Sequence, residues 1–314
     1  MQSKTKNTKT IRHLFQSGDP RTDFHWATPE QILAQSEPPK RLLSTSAKLD
    51  KCQSVGVLAR VLYFTPGVFC PAATDGCRRA CLAHTSGRMQ FETHARVRDA
   101  RTALYLEVTV LFIKRLKAEI TLLETDALQV QMTPAVRLNG SSDLPWERLH
   151  LELFEQFPDV QFFDYTKLSH RVYRFMLHEL PANYHLTFSV DAHMQKEASD
   201  ILRRGGTVAA VFWPSLPNTW WGFPVIDGDL HDARFLDPSG VIVGLRAKGL
   251  ARVDTNGFTI RHCKKCGPDG PELLLEFAKE DTHRTTVHRC PSCKNTVSAR
   301  WKLTQPQKLH HQAA

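Results

Sequence analysis

Residues Val160–Trp213 read VQFFDYTKLSHRVYRFMLHELPANYHLTFSVDAHMQKEASDILRRGGTVAAVFW. Three short apolar runs in this stretch, Val160–Tyr165, His185–Val190 and Val208–Trp213, are dense in aromatic and β-branched residues and predict strands. Between them, longer mixed stretches predict helices over 168–180 and 192–204, the second stopped by Gly205-Gly206. A helix between two strands carries the chain back to the end where it started, so successive strands run parallel. The alternation continues outward. Upstream, 54–64 (SVGVLARVLYF) is a β-rich entry ending at Thr65-Pro66-Gly67, and 134–139 is a strand stopped at Asn139-Gly140. Helical spacing over 91–123 puts Leu104, Val108, Leu111, Phe112 and Leu116 on one face, and Asp143 followed by Pro145 marks a further helix start. Downstream, Val241–Leu245 reads as another strand. The expected fold class is α/β: parallel βα units forming a full or partial barrel over residues 50–255, with a C-terminal zinc-ribbon-like module at 256–303. A basic extension (1–49) precedes the barrel, and the tail (304–314) is expected to be disordered.

Such sheets bind ligands at the carboxyl ends of their strands. Those ends carry Asn139, Gly140, Ser141 and Asp143, then Asp164, Tyr165 and Lys167, then Ser189, Asp191 and His193, with Trp213, Asp227 and Asp229 following. Tyr165, Lys167, Asp143 and Asp191 are the candidate catalytic residues, with Tyr165 or Lys167 supplying a proton or hydrogen bond. Asn139, Gly140, Ser141 and Ser189 are the candidate cofactor-binding residues. A plainer role stands beside each: helix caps for Asp143 and Asp191, solvated surface charge for Lys167.

Seven of the eight cysteines fall into two clusters. Cys263-Lys-Lys-Cys266 and Cys290-Pro-Ser-Cys293, 23 residues apart, are paired knuckles of the kind that pin one Zn²⁺. Lys264, Lys265, Arg284, Arg289, Lys294, Arg300 and Lys302 make this module basic, and Trp301 offers a stacking surface. It therefore reads as a nucleic-acid docking unit or as a structural staple. Cys70, Cys77 and Cys81, inside FCPAATDGCRRACLAHTSG, follow a strand and a Pro-Gly turn. Three thiolates leave one ligand position open, as catalytic metal sites do. Arg78, Arg79, His84 and Arg88 are expected to favour the thiolate forms. An iron–sulfur cluster suits the triplet, as does a second Zn²⁺ with His84 or Cys52 as fourth ligand, and a triplet without metal stands beside both.

The chain has 314 residues, 41% of them hydrophobic, and a formal charge of +9. That is enough apolar material for one large domain and a small module, and the positive excess suits a phosphate-bearing partner such as nucleic acid. An apolar run of about 18 residues is lacking, so no membrane span is expected. The basic start lacks the apolar core of a secretion signal, and knuckle cysteines point to a reducing, cytoplasmic setting. Phosphate-loop, dinucleotide, zinc-protease and serine-hydrolase motifs are missing, as are the histidine pair of rolling-circle initiators and the zinc-deaminase signature.

The runs TPGVFCPAATDGC-x3-C, VRLNGSSDLPWE, FFDYTKLS, YHLTFSVD and DGDLHDARFLDPSGVIVGLRAKGLA, spread over residues 50–252, resemble the gene product 88 family of bacteriophages and related mobile elements. The resemblance implies a protein of a phage, prophage or plasmid and brings no activity with it. A weaker likeness links the triplet to radical S-adenosylmethionine enzymes. Their C-x3-C-x2-C differs from the C-x6-C-x3-C here, and their Gly-rich loop corresponds to RLNGSSDLPWE. That likeness implies a [4Fe–4S] cluster with S-adenosylmethionine as cofactor. Two functions are expected: an iron–sulfur barrel enzyme acting on nucleic acid or nucleotide, or a non-catalytic zinc-dependent nucleic-acid-binding protein serving replication or regulation.

Overall fold

A computed structural model describes residues 29–35, 38–85, 87–267 and 270–302; the expected tail and most of the basic extension lie outside the described residues. Its centre is a mostly parallel sheet. In chain order the strands are β1 (Leu43–Ser44), β2 (Val57–Leu62), β3 (Thr133–Arg137), β4 (Gln161–Thr166), β5 (Tyr184–Ser189) and β6 (Val208–Trp213). After these come β7 (Thr219–Trp220), β8 (Phe223–Asp227), β9 (Ile242–Arg246) and β10 (Thr259–Arg261). The spatial order is β1-β2-β3-β4-β5-β6-β9-β8-β7, with β10 also on β6. Pairs from β2 through β6, β9 and β8 are parallel, while β1 and β7 pair antiparallel with β2 and β8. Among the described residues no pairing joins the two ends, so the βα series lies side by side without closing into a barrel.

Alternation along the strands assigns side chains to two faces. Leu62, Val136, Phe162, Tyr184 and Leu186 pack under the helices Glu92–Glu107 and Thr109–Gln129 and against Trp146 and Phe154. Val57, Ala59, Val61, Ala135 and Phe163 form the other face, covered by Leu49, Cys52 and Ala233. The helical pattern expected to run through 91–123 is two helices, because Val108 leaves the helical region (φ −134°, ψ 52°). A residue spacing near 3.6 cannot register such a bend when both halves bury the same stripe. The bend lets Ala103–Leu106 and then Phe112, Leu116, Ile120 and Leu123 reach one sheet.

The edge of β6 is shared. β5 pairs with its start (Phe188↔Val208, Ser189↔Ala209), and β10 takes over from Thr259↔Val211 to Arg261↔Trp213. β5 therefore leaves the sheet beside Ser189, where Ala192 N–H donates to Gly257 O (2.9 Å). β10 falls inside the expected 256–303 module but belongs to the large sheet. The separate three-stranded antiparallel sheet is β11 (Leu274–Glu280), β12 (His283–Arg289) and β13 (Thr296–Lys302). Thr286, His288 and Ala299 on its inner face are buried, while β11 is exposed along its whole length. Arg252 bridges the two sheets, its guanidinium 5.8 Å from both the Trp213 and the Trp301 ring centroids.

Candidate metal centres

The cysteine triplet lies over the carboxyl ends of the parallel strands. Thr74 starts the short helix Asp75–Ala80 by accepting from Cys77 N–H (3.2 Å), and Cys81 ends it. Gly76 makes its close approach possible: a Cβ there would stand 2.7 Å from Phe258 Cβ. On the other side, Asp143 N–H donates to Phe69 O (2.6 Å) and the Cys70 thiol donates to Ser141 O (3.6 Å). Lys167 Nζ donates to Ser189 O (3.3 Å) and lies 5.8 Å from the Phe258 ring centroid. The Cys77 thiol feels the charges of Lys167, Arg78, Asp191 and Asp143. The structure thus gathers Cys70, Cys77, Cys81, Ser141, Asp143, Lys167, Ser189 and Asp191 where β5 departs.

Burial decides the thiol protonation. It pushes Cys77 up despite the opposing pull of Lys167 and Arg78, pushes Cys81 up to about 11, and raises Cys70 further. Neighbouring thiols raise Cys70 and Cys81 again. The expected dominance of the arginine field is therefore corrected: without a cation these are neutral thiols, whereas a bound metal would hold them as thiolates. The side chains of His84 and Arg88 lie outside the described residues. Cys52 is excluded as a fourth ligand. It precedes β2, at the opposite end from the triplet, and its sulfur accepts from Asp232 N–H (3.3 Å).

The loop expected to bind a cofactor spends its polar groups on the protein. Asn139 N–H and Nδ2 donate to Asp164 (2.6 and 3.0 Å), and Asn139 Oδ1 accepts from Ser142, Leu144 N–H and Trp146. Ser141 Oγ donates to Phe64 O (2.6 Å), and Gly140 N–H donates to Leu62 O (2.9 Å). Asp143 is no helix cap. The helix starts at Trp146, and Asp143 accepts from Lys167 N–H (2.9 Å) and Arg171 (2.6 Å). Asp191 does cap, accepting from His193 N–H (3.2 Å). Tyr165 stands apart from Lys167 on the other sheet face. Its hydroxyl donates to Asp232 (2.9 Å), the Arg137 guanidinium lies 4.6 Å from its ring centroid, and burial lifts its pKa well above 10.

Two buried charge networks were not anticipated from sequence. Arg171, in the helix Ser169–Met176, grips Glu147 through two hydrogen bonds (2.9 and 2.8 Å), donates to Asp143, and donates to the Tyr184 hydroxyl (3.0 Å). Tyr184 in turn donates to Asp164 (2.7 Å), whose pKa burial raises to about 7. On the other face Asp232 pairs with Lys48 (2.8 Å) and Arg137 (3.0 Å), which hold its carboxyl far below the usual range against the effect of burial. A faint signal existed in each case, a charged residue beside apolar ones (Arg171-Val172, Asp232-Ala233), but nothing in the spacing names its partners.

The second centre is tighter. The sulfurs of Cys263, Cys266, Cys290 and Cys293 all lie within 4.8 Å of one another, a density that no other group of three or more His, Cys, Asp or Glu ligand atoms reaches among the described residues. Cys263–Cys293 and Cys266–Cys290 are 3.5 and 3.7 Å apart. Tetrahedral Zn–S bonds of about 2.3 Å place sulfurs about 3.8 Å apart, so the four can hold one such ion. Gly270 lets the first knuckle close, since a Cβ there would stand 2.8 Å from Cys263 O. In the second, Cys293 N–H donates to Cys290 Sγ (3.4 Å) and Lys294 turns left-handed (φ 59°). Desolvation would raise Cys290, yet the N–H groups of Cys293 and Ser292 pull its pKa below the ordinary thiol value. Trp301, expected as a stacking surface, lies half-buried on the inner face against Arg252.

Residues 32–268 match the family model described as Gene product 88. No curated protein and no solved structure matches the chain. No helix among the described residues is long and apolar enough to cross a membrane.

Proposed function

The chain belongs to the gene product 88 family, a phage family, and from that premise and the strand-end thiols we propose an iron–sulfur enzyme that acts on nucleic acid and carries a structural zinc. One observation carries the reading. Three desolvated thiols crowd together at the carboxyl ends of a parallel sheet, where such sheets bind ligands, beside a lysine and two buried aspartates. Their sulfurs are not all within 4.8 Å of one another, unlike those of the ribbon. Three thiolates leave a metal position open to a substrate or cofactor atom, and an iron–sulfur cluster suits such a set.

Cys70, Cys77 and Cys81 would hold the cluster, which supplies a metal position without a protein donor for a substrate or cofactor atom. Lys167 faces this region as a cation able to orient an anionic group. Asp191 holds the turn after β5, and Asp143 anchors the backbone of Lys167 while its charge is met by Arg171. Tyr165 is committed to Asp232, so proton transfer in this reading falls to Lys167.

The test is iron, sulfide and zinc analysis with visible absorption on protein purified without oxygen. Iron and sulfide that vanish in Cys77→Ala while zinc remains support the reading. A colourless protein holding zinc alone would overturn it.

A further inference from the structure

The outer face of the three-stranded sheet is built by strand register. Leu274↔Arg289, Phe277↔Val287 and Lys279↔Thr285 pair across β11 and β12, and Val287↔Ser298, Thr285↔Arg300 and His283↔Lys302 pair across β12 and β13. Paired residues share a face, so these side chains stand opposite the buried Thr286, His288 and Ala299. The bulge between Leu275 and Phe277 sets this register and turns the Phe277 ring outward, where the residue is 50% exposed. Arg289 lies in the row on one side of Phe277 and Val287, and Lys279 and Arg300 lie in the row on the other. Neighbouring rows are about 7 Å apart, two residues along a strand. Arg289 and Lys279 have carboxylate partners in Glu276 and Asp281, while Arg300 contacts His283 and, among the described residues, no acidic partner is seen for Lys302.

We propose that this face binds a single strand of nucleic acid, with one base stacked on Phe277 beside Val287 and the phosphates running past Arg289, Lys279, Arg300 and Lys302. An exposed aromatic between rows of cations is what sequence-tolerant single-strand binding requires. A duplex offers no free base face to the ring. The proposal rests on the reading that the partner is nucleic acid and assigns the surface that holds it. Arg252, between Trp213 and Trp301, meets the opposite, inner face of this sheet and leaves the outer face clear.

The experiment uses the full chain and a fluorescent thymidine oligonucleotide longer than a site of roughly 4–16 nucleotides, read by anisotropy over a salt series. Phe277→Leu keeps an apolar side chain but removes the ring, and should weaken binding roughly 5- to 150-fold. Phe277→Trp should restore it. Arg300→Ala with Lys302→Ala should flatten the log affinity against log salt slope by about 1.4. Zinc content reports that each variant keeps its module. The inference falls if a duplex of equal length binds as tightly, or if these variants bind like the parent protein. It also falls if Phe277 governs self-association through the free β11 edge rather than oligonucleotide affinity. Loss of binding in Cys77→Ala but in none of the ribbon variants would overturn this surface while leaving the enzyme reading intact. No oligonucleotide binding at low salt would overturn both the surface and the choice of partner.

Discussion

Arg171→Met removes the cation that Asp143 and Glu147 share. Arg171 is 1% exposed and Glu147 6%, and the guanidinium touches both carboxylates within 2.6–2.9 Å. Breaking a buried ion group from one side leaves uncompensated charge, which costs about 3–5 kcal/mol. At roughly 2–4 °C per kcal/mol for a large domain, the midpoint should fall by roughly 6–20 °C. The deficit should also depend on pH. Burial already raises the Asp143 pKa, with Arg171 the strongest opposing influence, so the variant's folded pKa rises further above the unfolded value of about 3.9. A carboxyl raised on folding destabilises above its unfolded pKa, and the penalty is relieved as pH falls through the folded pKa. The gap between variant and parent should therefore be wide at pH 8 and narrow towards pH 5. Urea unfolding followed by circular dichroism at both pH values measures it. Replacing Asp143 and Glu147 with Asn and Met in the same chain should recover most of the loss. A deficit below about 1 kcal/mol, or one equal at both pH values, would refute the argument that this cluster is a desolvated charge set.

Gly140→Ala should destabilise by about 1–3 kcal/mol, since its Cβ would stand 2.6 Å from both Tyr63 and Val61 and 2.7 Å from Leu62 O; thermal unfolding reads this directly. Asp164, raised to about 7 by burial, contributes stability that is complete below the unfolded carboxyl value of about 3.9 and lost as pH rises through about 7. Asp164→Asn should accordingly flatten the decline in unfolding free energy between pH 5 and 8, and an unchanged slope would assign that decline elsewhere. If the four-cysteine site holds zinc, its removal by a chelator, or Cys290→Ala, should open the knuckles and the three-stranded sheet to limited proteolysis while the parallel sheet keeps its far-ultraviolet signal. Equal loss of both would make the ribbon part of one cooperative unit.

Local pattern was enough for the parallel βα series. β6 runs from Val208 to Trp213 as its apolar residues indicate, and β4, β5 and β9 differ from expectation by a residue at their ends. Such runs report burial on both faces, and burial is a property the chain writes residue by residue. The knuckle spacing likewise sufficed for the four-sulfur site, because each C-x-x-C turn sets two sulfurs locally. The strands β7, β8 and β10 are short or half-exposed and carry no comparable pattern.

Partnership was decided by the tertiary structure. Asp143 has the place of a cap and is an anion for Arg171, 28 residues away; Tyr165 and Lys167 have a spacing that one strand would put on one face, yet β4 ends at Thr166, so Lys167 turns to Ser189 while Tyr165 reaches Asp232, 67 residues distant. Trp301 and Phe277 are exchangeable as aromatic letters, but register and a bulge turn one inward and the other out. Thiol protonation also follows from packing, since desolvation outweighs the nearby arginine at Cys77. Sequence determined which residues are apolar, and hence the sheet and its helices, because transfer from water is additive along the chain. Electrostatic roles depend on distance and dielectric between segments far apart in sequence, and these exist only once the sheet has assembled.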